Sequence, residues 1–168
     1  MAETWETERL ILRPLTMEDQ DALLPIFRNR AVRRRLTAHY PNNPGEMQTY
    51  LRSALELWER FGFGLYAILL KEGGACIGCC GLTPFPYKDH VDGGLICVLA
   101  RTSWGKGYAT EFARAMIPYA FAHFPLERLY AVVYRDDKVS MRVLHKAGMT
   151  LVRMNWFALE FEVHRPPS

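Results

Sequence analysis

Apolar and polar residues alternate with a period of two in some stretches of the chain and recur with the helical period in others. Leu10 and Leu12 alternate with Arg9 and Arg13, which predicts a strand over residues 8–14. Predicted strands and predicted helices follow one another to the end of the chain. Together they predict an α/β fold, in which helices pack on a sheet. Further strands are predicted over 64–70, 75–82, 91–100 and 128–134, a hairpin over 149–163, and helices after Thr16 and over 46–61, 109–124 and 139–147.

Composition narrows the class of protein. The 168 residues are 49% hydrophobic and 23% charged, which is typical of a folded globular domain rather than a disordered chain. The net charge of +3 is too small to argue for nucleic-acid binding. No apolar run approaches the ~20 residues of a membrane span, and the first residues lack signal-peptide character. We therefore expect a soluble, cytoplasmic protein with no membrane partner; a homodimer is left open.

Four cysteines fall within apolar segments. Cys76 and Cys79 have the spacing of a zinc knuckle, but no second pair of ligands completes a four-ligand site. Cys80 directly follows Cys79, and Cys97 lies 17 residues further along the chain. A free cysteine among apolar residues behaves as a small hydrophobe. The sequence predicts reduced, buried thiols and no metal.

A glycine-rich loop lies between a predicted strand and a predicted helix. Gly105 and Gly107 flank Lys106, so backbone N–H groups and the helix dipole can face an anion there. Ala100 stands where an ATP-binding loop needs its first glycine, and Thr110 interrupts the dinucleotide fingerprint. The loop is therefore either an anion site of another kind or a tight turn that starts a helix.

The octet Trp-Gly-Lys-Gly-Tyr-Ala-Thr-Glu at 104–111 closely resembles the coenzyme A loop of the GCN5-related N-acetyltransferase superfamily, in its ribosomal-protein-alanine acetyltransferase-like branch. Residues 7–14, 77–82 and 140–149 resemble the opening strand, third strand and late helix of that branch. The resemblance implies one α/β domain over 1–168. Its mostly antiparallel sheet would have about seven strands, splayed at the centre and flanked by about four helices.

The same resemblance implies direct acyl transfer, most often of acetyl, from acetyl-CoA to an amine of a small molecule or a protein N-terminus. Trp104 replaces the Gln or Arg that opens the loop in much of the superfamily. The N–H groups of the loop would hold the pyrophosphate, and a strand segment before it would pair with the pantetheine arm. The implied cofactor-binding residues are Cys97, Val98, Leu99, Trp104, Gly105, Lys106, Gly107, Tyr108, Ala109, Thr110 and Asp137.

The catalytic carboxylate of the branch is missing. Its place on the central strand falls on Gly94 in this chain. Asp92 lies two residues earlier, on the same strand face and ~7 Å away, with His90 one step further. Either could serve as a base through water. We expect Asp92 to take the catalytic role, the alternative being an ordinary polar residue at a strand edge.

The start of the late helix also departs from the branch, which has Asn-x-x-Ser there. Asp137 replaces the Asn, and an ionised carboxylate accepts hydrogen bonds but cannot donate them. Ser140 is retained and is expected to donate to the departing thiolate, the alternative being a helix residue that bonds its own backbone. Tyr134 is an alternative acid.

Five arginines between residues 28 and 35 suggest an acceptor class. In this superfamily the early helices shape the acceptor side, so a basic rim there would favour an acidic acceptor, although a solvated helix end explains the charge equally. The departures at Gly94 and Asp137 leave a second function open, a coenzyme A-binding module without catalysis. A third, RNA binding, would show a steep salt dependence. The arginines are Arg28, Arg30, Arg33, Arg34 and Arg35.

Overall fold

The computed structural model describes residues 2–168, which form eight strands and five helices around one sheet. The strands are β1 (Trp5–Glu6), β2 (Leu10–Pro14), β3 (Leu65–Leu70), β4 (Cys76–Tyr87), β5 (His90–Leu99), β6 (Arg128–Tyr134), β7 (Thr150–Met154) and β8 (Ala158–His164). The helices are α1 (Gln20–Arg28), α2 (Arg30–Arg33), α3 (Pro44–Phe61), α4 (Tyr108–His123) and α5 (Lys138–Lys146).

The sheet has the order β1-β2-β3-β4-β5-β6-β8-β7, and in the described chain only β5 and β6 run parallel. That pair is short. Gly93 lies opposite Leu129 and Gly94 opposite Tyr130, and beyond these two pairs the strands part. A wedge therefore opens between the second half of β5 and the second half of β6.

Each face of the sheet buries its own apolar cluster. The alternation of side chains sends Val98 of β5 to the face covered by α1 and α3, and Leu95 and Leu99 to the face covered by α4. The two clusters meet along β5, so that strand is held from both sides.

The predicted mixed, mostly antiparallel α/β sheet with a central splay is confirmed, with one strand and one helix more than expected. The extra strand, β1, has two residues and is too short for alternation to show. The extra helix, α2, has four residues and begins where the Asn29 side chain accepts from the N–H groups of Ala31 and Val32. Among the described residues, no helix combines the length and apolar character needed to cross a bilayer.

Candidate active site

A cavity with a volume of about 410 Å³ lies in the wedge between β5 and β6. We call it the main cavity. One wall is the second half of β5, and the other is the second half of β6 with the first turn of α5. The glycine-rich loop and the start of α4 close one end. The lining includes Leu95, Val98, Trp104, Ala131, Asp137 and Ser140.

The loop at this end presents unpaired backbone donors. Gly105 and Gly107 adopt φ of +75° and +82°, a left-handed conformation that side chains other than glycine rarely take. Within the described chain, the N–H groups of Gly105 through Thr110 have no hydrogen-bond acceptor, and the last three of them form the first turn of α4. A row of free donors at a helix N-terminus is a site for an anion.

A carboxylate from α4 fixes the loop to β2. The two oxygens of Glu111 accept from Arg9 Nε, the Arg9 backbone N–H and Thr7 Oγ1, each at 2.7 Å. Arg9 also donates to the Lys106 carbonyl at 2.9 Å and lies 4.5 Å from the centre of the Tyr108 ring. Although burial raises the pKa of Glu111, the bonds from Arg9 and Thr7 outweigh burial and lower it. The loop conformation is thus built into the protein.

Trp104 joins the loop to the strand before it and to the segment after α2. Its Nε1 donates to the Leu99 carbonyl at 3.0 Å, and the Arg35 guanidinium lies 3.9 Å from the centre of its ring. Arg35 Nε is also 3.8 Å from Asp137 Oδ1 at the start of α5. Arg35 therefore spans the mouth of the main cavity from one wall to the other.

The five clustered arginines have different roles. Arg33 donates to the carbonyls of Phe27, Tyr40 and Pro41, so it holds its own segment together. Arg35 lines the main cavity. The remaining three, Arg28, Arg30 and Arg34, are exposed.

Asp137 and Ser140 form the first turn of α5 and line the main cavity together. Asp137 is buried and accepts from the Ser140 backbone N–H at 3.1 Å and from its hydroxyl at 2.6 Å. The hydroxyl hydrogen of Ser140 is therefore directed at Asp137. The alternative acid, Tyr134, donates to the Leu36 carbonyl at 2.9 Å.

Asp92 lies outside the main cavity, at the other end of the parallel pair. Its side chain is completely buried, and Oδ2 is 2.9 Å from Arg128 Nε and 2.8 Å from Arg128 Nη2. Arg128 Nη1 donates in turn to Glu162 at 2.8 Å. His90 Nε2 lies 3.2 Å from Oδ1 of Asp92. The structure thus brings Asp92 to an arginine and a histidine, not to the loop.

A second cavity of about 200 Å³ lies against the main one, and we call it the side cavity. Tyr40 and Ile96 line both cavities. The side cavity extends between α3 and the sheet as far as Thr83 on β4.

The cysteines are all free, and Cys97 is the one that lines the main cavity. Burial raises the pKa of the Cys97 thiol to about 12, and it raises the pKa of the Cys79 and Cys80 thiols as well. These thiols are protonated at neutral pH and are poor metal ligands. Among the described residues, no group of three or more His, Cys, Asp or Glu side chains could hold a metal ion.

The structure brings together the predicted loop, the β5 segment 97–99, Asp137 and Ser140, and it leaves Asp92 apart. Sequence reasoning missed the contact of Arg9 with Glu111, although both residues lie in segments that carried the resemblance. It also missed the place of Arg35, because charge alone did not separate this arginine from its neighbours.

A domain model described as "Acetyltransferase (GNAT) domain" matches residues 9–150. The uncharacterized N-acetyltransferase p20 of Bacillus licheniformis is 28% identical over 85% of this chain and 80% of its own length. A solved acetyltransferase from Agrobacterium tumefaciens is 30% identical, with a TM-score of 0.80 over 98% of this chain and 95% of that one. A ribosomal alpha-N-protein acetyltransferase solved with coenzyme A shares the fold, with 15% identity and a TM-score of 0.82 over 96% of this chain and 98% of that one. The chain is therefore an N-acetyltransferase of the GNAT family.

Proposed function

We propose that this enzyme binds acetyl-CoA in the main cavity and transfers the acetyl group directly to an amine, without a covalent enzyme intermediate. The observation that carries the proposal is the parting of β5 from β6 beside the loop of free N–H groups. A structurally similar ribosomal-protein acetyltransferase was solved with coenzyme A, which supports coenzyme A binding by this chain.

The charges around the main cavity suit a polyphosphate. Arg35, Arg142 and Lys146 line it, and Asp137 is the one carboxylate among the described lining residues. The free N–H groups of residues 105–110 would hold the pyrophosphate, with Lys106 exposed beside them. On the side of β6, the segment Cys97, Val98 and Leu99 has no strand partner, and there its main chain would pair with the amide groups of the pantetheine arm.

In the reaction, the amine nitrogen bonds to the acetyl carbon, the carbon–sulfur bond breaks, and the sulfur leaves as a thiolate that needs a proton. Ser140 is our proposed donor: its hydroxyl turns from Asp137 to the sulfur as negative charge develops there, and the surplus proton of the attacking nitrogen returns to the Ser140 oxygen through water. Asp137 holds Ser140 at the cavity wall until that point.

The base role of Asp92 stays a prediction. The side chain lies outside both cavities, its Oδ2 is paired with Arg128, and its Oδ1 lies 3.2 Å from Nε2 of the half-exposed His90. The cytoplasmic location and the homodimer also stay predictions.

Release of free thiol from acetyl-CoA in the presence of an amine tests the function. Because a lost donor to developing charge typically costs about 10²–10³ in rate, we expect Ser140→Ala to lower kcat by that factor with little change in acetyl-CoA affinity. The matched control is Asp137→Asn, since Asn still caps α5 and leaves the Ser140 hydroxyl free to turn.

The control should keep at least the parent kcat. An equal loss in both variants would mean that turnover needs the Asp137 carboxylate as well, and would contradict the role given to the Ser140 hydroxyl alone. Tight acetyl-CoA binding without turnover of any amine would favour the coenzyme A-binding module instead, the function to which Gly94 and the burial of Asp92 point.

A further inference from the structure

The side cavity reaches the point where the reaction must take place. Thr83, at its far end, is the cross-strand partner of Gly94, and Gly94 with Tyr130 forms the last pair before β5 and β6 part. Ile96, two residues further along β5, lines both cavities. A thioester at the apex of the wedge would therefore face the main cavity on one side and the side cavity on the other.

Gly94 keeps this meeting point open. A Cβ atom at this position would lie 3.0 Å from Thr83 Oγ1, which is tighter than an ordinary contact. A longer side chain would have to displace Thr83 or occupy the apex itself. Because glycine stands where the branch has a carboxylate residue, space is left free beside the cavity.

The lining of the side cavity carries no fixed charge. It is made of apolar, aromatic and hydroxyl side chains, and the one basic ring among the described lining residues, His39, has 79% of its side chain exposed. None of the five clustered arginines lines it. A carboxylate or phosphate placed here would lose its water and gain no cationic partner, which is unfavourable. The inner lining includes Tyr40, Tyr50, Ala54, Leu57, Leu65 and Ile96.

The volume limits the occupant. At about 200 Å³ the side cavity is smaller than the ~300–1,000 Å³ of sites for drug-sized ligands. A cavity of ~150 Å³ in another protein admits benzene. The space therefore suits one aromatic ring or an alkyl group of similar size.

We infer that the acceptor is a small primary amine whose remaining group is uncharged and apolar, about the size of one aromatic ring, and that the side cavity holds this group. The inference rests on the proposed acetyl transfer, because only a donor in the main cavity makes the side cavity an acceptor site. It departs from the acidic acceptor that the arginine cluster suggested, since those arginines lie elsewhere.

The same lining helps the amine to react. Burial raises the pKa of Tyr40 and of Tyr50, so both phenols stay neutral. An ammonium group next to neutral, apolar walls loses hydration without gaining a counter-ion, and its pKa falls. The acceptor therefore binds at the apex as a free amine, its proton having passed to water, and attacks the acetyl carbon while the thiolate leaves.

Thiol release from acetyl-CoA with three amines tests the inference. The amines are 2-phenylethylamine, phenylalanine and glutamate, which share a primary amine and differ in size and in carboxylate charge. We expect kcat/KM for 2-phenylethylamine to exceed that for either carboxylate-bearing amine at least about tenfold, because each desolvated charge costs more than 1.4 kcal/mol. Higher kcat/KM with glutamate, or with a peptide N-terminus, would overturn the inference.

A pair of surface variants of α3 separates this inference from the proposed function. Ser53→Leu places apolar bulk into the side cavity, whereas Gln48→Leu adds a similar side chain at an exposed site on the same helix that lines neither cavity. We expect Ser53→Leu alone to lower kcat/KM for 2-phenylethylamine about tenfold or more, with the acetyl-CoA thermal shift of the parent retained in both variants.

Parent kinetics in Ser53→Leu, or acetyl-CoA binding without turnover of 2-phenylethylamine, would overturn the acceptor class while leaving the donor site standing. Failure of the parent to bind acetyl-CoA would instead overturn the proposed function.

Discussion

The two ends of the parallel pair β5–β6 differ in whether their polar groups have partners within the protein. At the end where the strands pair, Asp92, Arg128 and Glu162 form a chain of contacts of 2.8–2.9 Å, and Asp92 is completely buried. At the end where the strands part, the N–H groups of residues 105–110 have no acceptor within the described chain. Charges that are paired with one another inside the protein hold strands together, whereas backbone donors without a partner beside a cavity are available to a ligand.

The open end is nevertheless rigid. Glu111 ties the loop to β2 through Arg9 and Thr7, and Arg35 links Trp104 to Asp137 across the cavity mouth. Donors that are fixed before binding cost less to order when the ligand arrives. Contacts within the protein therefore hold both ends in place, and the ends differ in whether their polar groups have partners within the protein.

Removing the arginine at the paired end should have the largest effect on stability. Arg128→Met leaves Asp92 buried without its partner, which typically costs about 3–5 kcal/mol. Chemical denaturation of parent and variant measures the change in the free energy of unfolding. The control is Arg52→Met at an exposed position of α3, which should stay within about 0.5 kcal/mol of the parent. A loss in Arg128→Met no larger than in the control would contradict the structural role of this end.

Asp92→Asn tests whether the paired end of β5–β6 has a structural role only. The variant keeps the size of the side chain but leaves part of the Arg128 guanidinium without a charged acceptor, so we expect a loss of about 1–3 kcal/mol in unfolding free energy. A ratio of variant to parent turnover that is the same at every pH would limit Asp92 to this structural role. A turnover defect that is worst at low pH and shrinks at high pH would instead identify Asp92 as the base.

Glu111→Gln should weaken the brace of the loop by about 1 kcal/mol, because the amide keeps an acceptor oxygen but loses the charge. The pKa of Glu111 is lower in the folded protein than its ordinary value of 4.5. Its stabilisation is therefore fully present above pH 4.5 and is lost as the pH falls through the folded-state pKa. The Tm of the parent should exceed that of the variant at neutral pH, and the gap should close in acid. A gap that is independent of pH would contradict the assignment.

Regular periodicity in the sequence predicted the strands and helices of the fold. It did not predict which side chains contact one another. Alternation put Asp92 on the strand face of Gly94, but it says nothing about Arg128, which is 36 residues away on β6. Pro84 and Pro86 suggested that β4 ends near residue 82, whereas the strand continues to residue 87. Beyond Leu82, whose N–H donates to the Gly64 carbonyl, β4 pairs only with β5, so its other edge can accommodate residues without an N–H.

The sequence motif at 104–111 predicted more about the open end of the site than periodicity predicted about the other side-chain contacts. Glycines at 105 and 107 predicted a loop whose main chain can face an anion, and in the structure both residues adopt left-handed backbone. The hydrogen bond of Ser140 to the Asp137 side chain was not foreseen, because the two acceptors considered for the hydroxyl were the departing thiolate and the helix backbone.

Two alanine variants test most directly the claim that the open end of β5–β6 binds acetyl-CoA. Gly105 in the loop and Gly62 at the end of α3 both have φ of +75° with nothing within 4 Å of an added Cβ. Gly105→Ala and Gly62→Ala should therefore lower the Tm of the free protein by similar amounts. Acetyl-CoA should raise the Tm of the parent and of Gly62→Ala equally, while Gly105→Ala loses most of that shift because its methyl group lies in the path of the pyrophosphate. Equal shifts in all three proteins would contradict the account.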